Sequence, residues 1–599
     1  MYDSGDRTNP LRSQEFFFWV CALVALVSLL GRASFFGFEQ SIAESAREAG
    51  EFGLWWPLCV NFRPFPGLPP LEVWSVAVMS FFGGINEFSG RLPSALAALT
   101  LIAGSRMLAR MLFDRGTALL SAWMTLGCCG VLYLGRNSGS GVCSAALLVW
   151  TAVLYCEGAE RRGFFNTLVR GLLLTFGFIN GGVGFLALAV ALLLPLRWRR
   201  GTASRRRSWG EAAAWLLTLL ALYFSHRLLF GDPALMLWTR LTELGNGGFV
   251  TAVKRIALLW WDARRDPLYS GFYSLPRVIL PWALIVLAAL GGAVRHFRGL
   301  PREIRSLLIG IGAGFVVLAL LPGTTWTDYL ALVPFLTTAA AAELLRCGDS
   351  VENRGGVAIT RGAIVLIAAI GAVSPVALPM WKRLLNFDLP VVFLAACPIT
   401  GAVVLFAMLL DSHPMRPREQ LSGLPSALAS TILGGTLLTI CLISFLIPSL
   451  RELRAEKPFL LLLKNDTADF EPHSIIHIGG NSSASVVLFY TGARGPITVI
   501  PDSEGDPAGG VERFRRLIAA SPGGKFAIIT RCRPERELAF LRRCAEAGGL
   551  KLDVARPDRI EDRPPGYGSS DRRQACWIVT SPRGGDTAAS SNQVQEKGK

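Results

Sequence analysis

Charge is scarce in this chain. Only 17% of its 599 residues are Asp, Glu, Lys or Arg, against 51% hydrophobic. A soluble enzyme of this length needs a more polar surface, so that class is excluded. Histidine is nearly absent, five in all, which argues against a histidine-built metal centre. Cysteine has the numbers but not the spacing: twelve are scattered, and no pair stands at a zinc-ligand or redox interval. Seven of them (Cys21, Cys128, Cys129, Cys143, Cys156, Cys397, Cys441) sit inside apolar runs. Cys532, Cys544 and Cys576 lie near the end of the chain, enough for one disulfide and one leftover thiol.

What the chain does have is apolar length. Fourteen runs follow one another: 15–36, 71–83, 92–112, 117–134, 142–157, 165–179, 182–196, 210–228, 277–294, 306–322, 329–346, 362–379, 389–410 and 426–447. Most are long enough to cross a bilayer as helices. The first follows a polar start and ends in no small-residue cleavage site, so it reads as a retained helix, not a signal peptide. Segment 71–83 is the shortest. It follows Pro69-Pro70 and carries Glu72, Trp74 and Ser75, which suits a helix lying at the interface.

The basic residues decide the topology. "SRMLARMLFDRG", "ERRG", "RWRRGTASRRRS", "RHFRGLPREIRS" and "MRPRE" punctuate the apolar runs. They fall on one side only if 71–83 does not cross, and the positive-inside rule makes that side the cytoplasm. A nucleic-acid surface would gather such residues on one soluble face, so no nucleic-acid partner is expected. The predicted fold class is an α-helical polytopic membrane protein of about thirteen transmembrane helices with a C-terminal exterior α/β domain.

In order, residues 1–14 form a cytoplasmic N-terminus and 15–447 the transmembrane domain, with exterior loops 37–91 and 229–276. Residues 448–583 form the α/β domain and 584–599 a disordered tail. In that domain "SIIHIGG", "SVVLFY", "PITVIP", "KFAIITR" and "CWIVTSP" read as strands, and "VERFRRLIAAS" and "ERELAFLRRCAEAG" as helices.

One block carries a resemblance. "PFPGLPPLEVWSVAVMSFFGGINEFSGRLPSALAALTLI" resembles the first-loop signature of the GT-C glycosyltransferases, the lipid A aminoarabinose transferases and protein O-mannosyltransferases in particular. Pro69, Pro70, Leu71, Trp74, Glu87, Phe88, Arg91, Leu92, Pro93, Ser94 and Ala95 carry the match. "FEQSIAESARE", "YLGRNSGSGV", "DPLYSGFYSLPRVILPW" and "DYLALVPFL" extend it more loosely. The resemblance implies transfer of a sugar from a polyprenyl-phosphate donor to an envelope lipid, glycan or protein, at the outer face of a bacterial inner membrane. Lipopolysaccharide modification is one such task. No cofactor or divalent metal is expected beside the donor and the membrane lipids.

The resemblance also implies site residues. Glu39 stands one position after the expected catalytic acid and is the candidate base, with Asp328 as the other acid at an exterior junction. Asp328 can equally cap the helix that follows. Arg136 is the candidate phosphate ligand, joined by Arg264 and Arg265, because the guanidinium fork matches phosphate geometry; Arg136 can equally snorkel to the headgroups, and Arg264 and Arg265 can simply be solvated. Glu87 and Arg91 are expected to pair with each other and hold the loop. Glu44, Arg47, Glu48 and Glu51 read as a solvated helix face, Arg47 pairing with Glu44 and Glu51. Four charged family positions are neutral here: Phe38, Leu68, Gly141 (or Gly139) and Asn180. They favour a second reading, a non-catalytic relative that binds a polyprenyl lipid or serves as partner subunit in envelope-glycan assembly. A transporter would carry charge in mid-span, which these runs largely lack.

Overall fold

The computed structural model describes residues 10–65, 68–139, 141–157, 164–198, 270–321, 324–349 and 426–446, and isolated positions between 448 and 464. It also describes 471–478, 481–500, 507–520, 525–530, 543 and 575–580. The first half runs α1 (Pro10–Val27), α2 (Phe38–Phe52), a short hairpin β1–β2 (Cys59–Val60, Arg63–Pro64) and α3 (Pro70–Ser80). Then follow α4 (Glu87–Leu112), α5 (Arg115–Gly127), α6 (Cys129–Gly135), α7 (Val142–Glu157) and α8 (Phe164–Trp198).

Local chemistry sets these boundaries. Pro70 opens α3 at its first position, where a missing N–H costs nothing. The eleven residues of α3 reach only roughly 16 Å, too short to cross, as expected of 71–83. Asn86 caps α4: its Oδ1 accepts the N–H groups of Phe88 (3.0 Å) and Ser89 (2.9 Å), and Ser89 Oγ accepts the Asn86 N–H in return. Asp114 caps α5 through the Thr117 N–H at 2.8 Å.

Among the described residues, Glu87–Leu112, Arg302–Leu320 and Asp328–Arg346 are long and apolar enough to cross a membrane. Two bent pairs, α5 with α6 (61°) and Gly271–Ile279 with Ala283–Arg295 (113°), raise the number to as many as five if each pair forms one span. The spans expected at 210–228, 362–379 and 389–410 lie outside the described residues.

The helical core closes by small residues and hydroxyls. Trp282 is fully buried. A Cβ on Gly127 would stand 2.7 Å from its ring, and one on Gly435 2.5 Å, so both helices approach the indole by backbone. Ser105, Ser121, Thr125, Thr337 and Thr338 bond one another across three helices at 2.8 to 3.4 Å, satisfying their hydroxyls where water is absent.

In the tail a four-stranded sheet has the order β4-β3-β5-β6, with β3 (Ile475–Ile478), β4 (Thr498–Ile500), β5 (Lys525–Thr530) and β6 (Ala575–Thr580). β3 runs parallel to β4 and β5, and β6 antiparallel to β5. Four of the five expected strands are there. "SVVLFY" is not a strand: it lies in the helix Asn481–Thr491. Ala484, Val487, Leu488 and Thr491 are buried, an i, i+3, i+4, i+7 stripe that packs on α2 and overrides the β-propensity of its valines. The helix Pro507–Ala520 covers "VERFRRLIAAS" up to its last residue; of 535–548 only 543 is described, and the 584–599 tail, Cys532 and Cys544 lie outside the described residues.

The stripe also corrects the reading of α2. Arg47 does pair with Glu44 (2.6 Å) and Glu51 (3.0 Å), but the face is not solvated. Glu44 and Glu48 have no exposure and Arg47 has 5%, because the tail sits on them. Arg47 donates to the Ala493 carbonyl (3.1 Å), and Asn61 exchanges two hydrogen bonds with the backbone of Ile497 (3.0 and 2.8 Å). Burial first, then the charge of Glu44, pushes the Glu48 carboxyl up to about 8.

A carboxyl raised by folding contributes its full stability below its unfolded pKa. That contribution is lost as pH rises from the ordinary carboxylate range through about 8. Glu48→Gln is therefore expected to leave the melting temperature unchanged near pH 5 and raise it near pH 9. The expected gain is on the order of a few kcal/mol, read by thermal unfolding in detergent.

Candidate phosphate pocket and its supporting clasp

Arg91, from the second turn of α4, points back under the start of α2. Its Nε and Nη2 donate to Glu39 Oε1 (3.1 Å) and Oε2 (3.0 Å), while Nη1 and Nη2 bond the carbonyls of Leu30 (2.8 Å), Ala33 (2.6 Å) and Ser34 (2.8 Å). Glu39 also accepts the N–H groups of Phe36 and Ser138, both at 3.1 Å. Four donors therefore converge on its two buried oxygens. Glu39 fixes the α1–α2 connection and the turn after α6.

The expected pairing of Arg91 with Glu87 does not form. Glu87 instead takes Lys457 and the Tyr490 hydroxyl (3.1 Å), and that hydroxyl accepts the Phe35 N–H (3.1 Å). Both motif residues hold the loop, but to partners far along the chain. The other motif residues are structural: Pro69 and Pro70 start α3, Trp74 Nε1 donates to the Trp55 carbonyl (3.1 Å), and Pro93 is buried within α4.

The turn that Glu39 pins begins with Arg136. Its guanidinium donates to the carbonyls of Ala25 and Ser28 (2.6 Å to the latter) and is buried. No carboxylate lies within ion-pair distance among the described residues. With Arg91, Tyr133 and Asn137 it lines a small open pocket of about 30 Å³, whose apolar wall includes Leu29, Leu30, Ala33 and Ile443. Burial, and secondarily the charge of Arg91, pushes Arg136 down to about 10. An anion in the pocket would relieve both effects.

Beside the pocket, the Tyr133 ring lies 5.9 Å from that of Trp326, over which Arg277 sits at 4.4 Å. Arg277, which is exposed, is a second cation that sequence reasoning passed over. Asp328 closes its own turn, accepting the Thr325 N–H (2.6 Å) and hydroxyl (3.1 Å). Arg264 and Arg265 lie outside the described residues. Among the described residues no cluster of three metal-ligating side chains occurs.

Of the neutral family positions, Asn180 and Gly141 lie against Glu72, which in the sequence has the look of an interfacial polar group. Phe38 is 44% exposed, Leu68 is buried, and Gly139 and Gly141 have φ of 70° and 71°. Asn180 accepts the Leu71 N–H (3.0 Å) and donates to Ser144 Oγ (2.8 Å). Glu72 is 2% exposed, and neither of its carboxylate oxygens makes a well-formed hydrogen bond, the Asn180 amide and the Gly141 N–H engaging it only weakly. Only its place just after the double proline could have drawn attention to it.

The sequence model of the family described as dolichyl-phosphate-mannose-protein mannosyltransferase matches residues 68–229. No curated protein sequence matches the chain. Among solved structures, ArnT from Cupriavidus metallidurans bound to undecaprenyl phosphate superposes with a TM-score of 0.65 at 16% identity. The match covers 94% of this chain and 98% of that one. The chain has the GT-C fold. The apo state of the same ArnT gives 0.64 at 15% identity, over 95% and 98% of the two chains. Together with its apolar helices this makes the GT-C chain a polytopic membrane protein, and the expected resemblance holds at the level of the fold.

Proposed function

We propose that the chain is a membrane glycosyltransferase that takes a sugar from a polyprenyl-phosphate donor and passes it to an envelope lipid, glycan or protein. The observation that carries the reading is Arg136: a buried guanidinium without a carboxylate partner among the described residues, in a pocket with an apolar wall. A prenyl chain suits the wall and a phosphate suits the guanidinium. ArnT, of like fold, has been captured with undecaprenyl phosphate, which supports the choice of lipid. Arg277, over Trp326, adds a second positive charge on the same side.

In this reading the acceptor oxygen bonds to the anomeric carbon as the bond from that carbon to the phosphate oxygen breaks. Arg136 holds the charge that gathers on the departing phosphate. Glu39 and Arg91 position the turn that presents Arg136. The reaction would run at the outer face of the inner membrane, with the tail on the same side.

The four donors on Glu39 favour a second reading, in which the chain binds the lipid without transfer. Both readings require donor binding, so that comes first. The full chain in nanodiscs is expected to bind undecaprenyl phosphate saturably, with inorganic phosphate a poor competitor because it lacks the prenyl tail. Absence of saturable lipid binding, or equal competition by inorganic phosphate, would contradict both.

A further inference from the structure

We infer that Glu72 is the general base of the proposed transfer, accepting the acceptor's proton from beneath the turn that carries Arg136. The inference rests on the glycosyltransferase reading above. Its geometry comes from three elements that meet at the start of α3. The first turn of α3 carries Glu72 and is tied to α8 by the Leu71 N–H on Asn180 Oδ1. α8 breaks two residues later, at Gly182, with φ 62° and ψ −154°. The third element is the turn from Arg136 to Gly141, whose far end faces Glu72. Five residue steps cannot part the backbones of Arg136 and Gly141 by more than about 18 Å. The phosphate ligand and the carboxyl thus flank one pinned turn.

The side chain is what a base needs and Glu39 is not. The carboxyl is more than nine-tenths buried and neither oxygen makes a well-formed hydrogen bond, the Asn180 amide and the Gly141 N–H engaging it only weakly, an arrangement that costs stability unless it serves something. α2, α4 and α8 pack on α3, and among the described residues the titratable group that faces Glu72 is Cys143 of α7. Burial raises the carboxyl to about 7, with the Asn180 amide and the Gly141 backbone pulling the other way. A base is most effective when its pKa lies near the working pH. Asn180 is half-exposed and Gly181 and Gly182 are exposed, so Glu72 lies one side chain below the surface. An acceptor hydroxyl that displaces the Asn180 amide reaches it. The step balances: the acceptor oxygen gains the anomeric carbon, its proton goes to Glu72, and the bonding pair leaves with the phosphate.

The test compares wild type, Glu72→Gln and Glu72→Asp in proteoliposomes, with labelled undecaprenyl-phosphate sugars as donors and an envelope extract as acceptor. Glu72→Gln is expected to bind undecaprenyl phosphate as wild type does while transfer falls roughly a hundredfold or more, with partial rescue by Glu72→Asp. The wild-type rate is expected to rise with pH through about 7, and the variant to lose that limb. A silent, protonated Glu72 would tolerate the isosteric amide, so full transfer by Glu72→Gln overturns the inference and leaves the glycosyltransferase standing. Wild type that binds donor but never transfers overturns the glycosyltransferase reading and the base with it. Should Glu72→Gln not insert, infrared difference spectra of wild type decide. A protonated carboxyl band that does not titrate between about pH 5 and pH 9 overturns the inference, and one that titrates near neutrality, and is absent in Glu72→Asp at the same frequency, supports it.

Discussion

Arg91→Ala is expected to keep the protein from accumulating in the membrane as a folded, monodisperse species. The substitution strands the buried carboxylate of Glu39 and removes donors from three carbonyls. Breaking a buried ion pair from one side costs about 3–5 kcal/mol, a large share of the roughly 5–15 kcal/mol that holds a domain folded. The carbonyls of Leu30, Ala33 and Ser34 join α1 to α2, so the damage spreads to the whole entry of the loop. Glu39→Gln should cost less, because Arg91 keeps its carbonyls and the amide still accepts. Removing both charges together, as Arg91→Met with Glu39→Leu, is expected to recover part of the loss. A double-mutant cycle on melting temperature in detergent checks this. Strictly additive effects would show that the pair is not coupled.

Arg136→Gln is the second large effect, on binding. A hydrogen bond to a charged group contributes about 1.5–3 kcal/mol, which corresponds to roughly 10- to 150-fold in Kd. Undecaprenyl phosphate is expected to bind that much more weakly, and its salt dependence to flatten because one cation fewer meets the phosphate. Glutamine keeps donors for the carbonyls of Ala25 and Ser28, so the melting temperature should move far less than with Arg91→Ala. Arg136→Lys should fall between, keeping charge but losing the fork. Unchanged affinity in Arg136→Gln would move the phosphate elsewhere, with Arg277 the next cation on that side.

The sequence made some of this legible and hid the rest for definable reasons. Short-range chemistry was readable: Pro70 opening α3, the Arg47 pairs three and four residues away, the shortness of the helix at 71–83. So was the block from Pro69 to Ala95, whose spacing follows from one helix start and one capped span. Partners across long separations were not. Arg91 chose Glu39, 52 positions back, over Glu87, and Glu87 chose Lys457, 370 positions on. Like charges and opposite charges at helical spacing cannot reveal what a folded tail will bring. The same tail buried the face of α2 and turned "SVVLFY" into a helix. Glu72 was hidden differently. An acid in a Trp- and Ser-containing amphipathic segment has the signature of an interfacial group. Only the approach of α8 and the Arg136–Gly141 turn takes it out of water.

Taken together, these contacts divide labour within one constellation. In the proposed account Glu39 and Arg91 hold the turn, Arg136 meets the phosphate, and Glu72 takes the acceptor's proton. The measurement that tests this most directly is sugar transfer by the wild-type chain in proteoliposomes, with undecaprenyl-phosphate sugars as donors. The account expects label to move from lipid to acceptor in a wild-type reaction that Arg136→Gln slows at subsaturating donor. Saturable donor binding with no transfer to any acceptor fraction would contradict it and leave a lipid-binding protein on a glycosyltransferase fold.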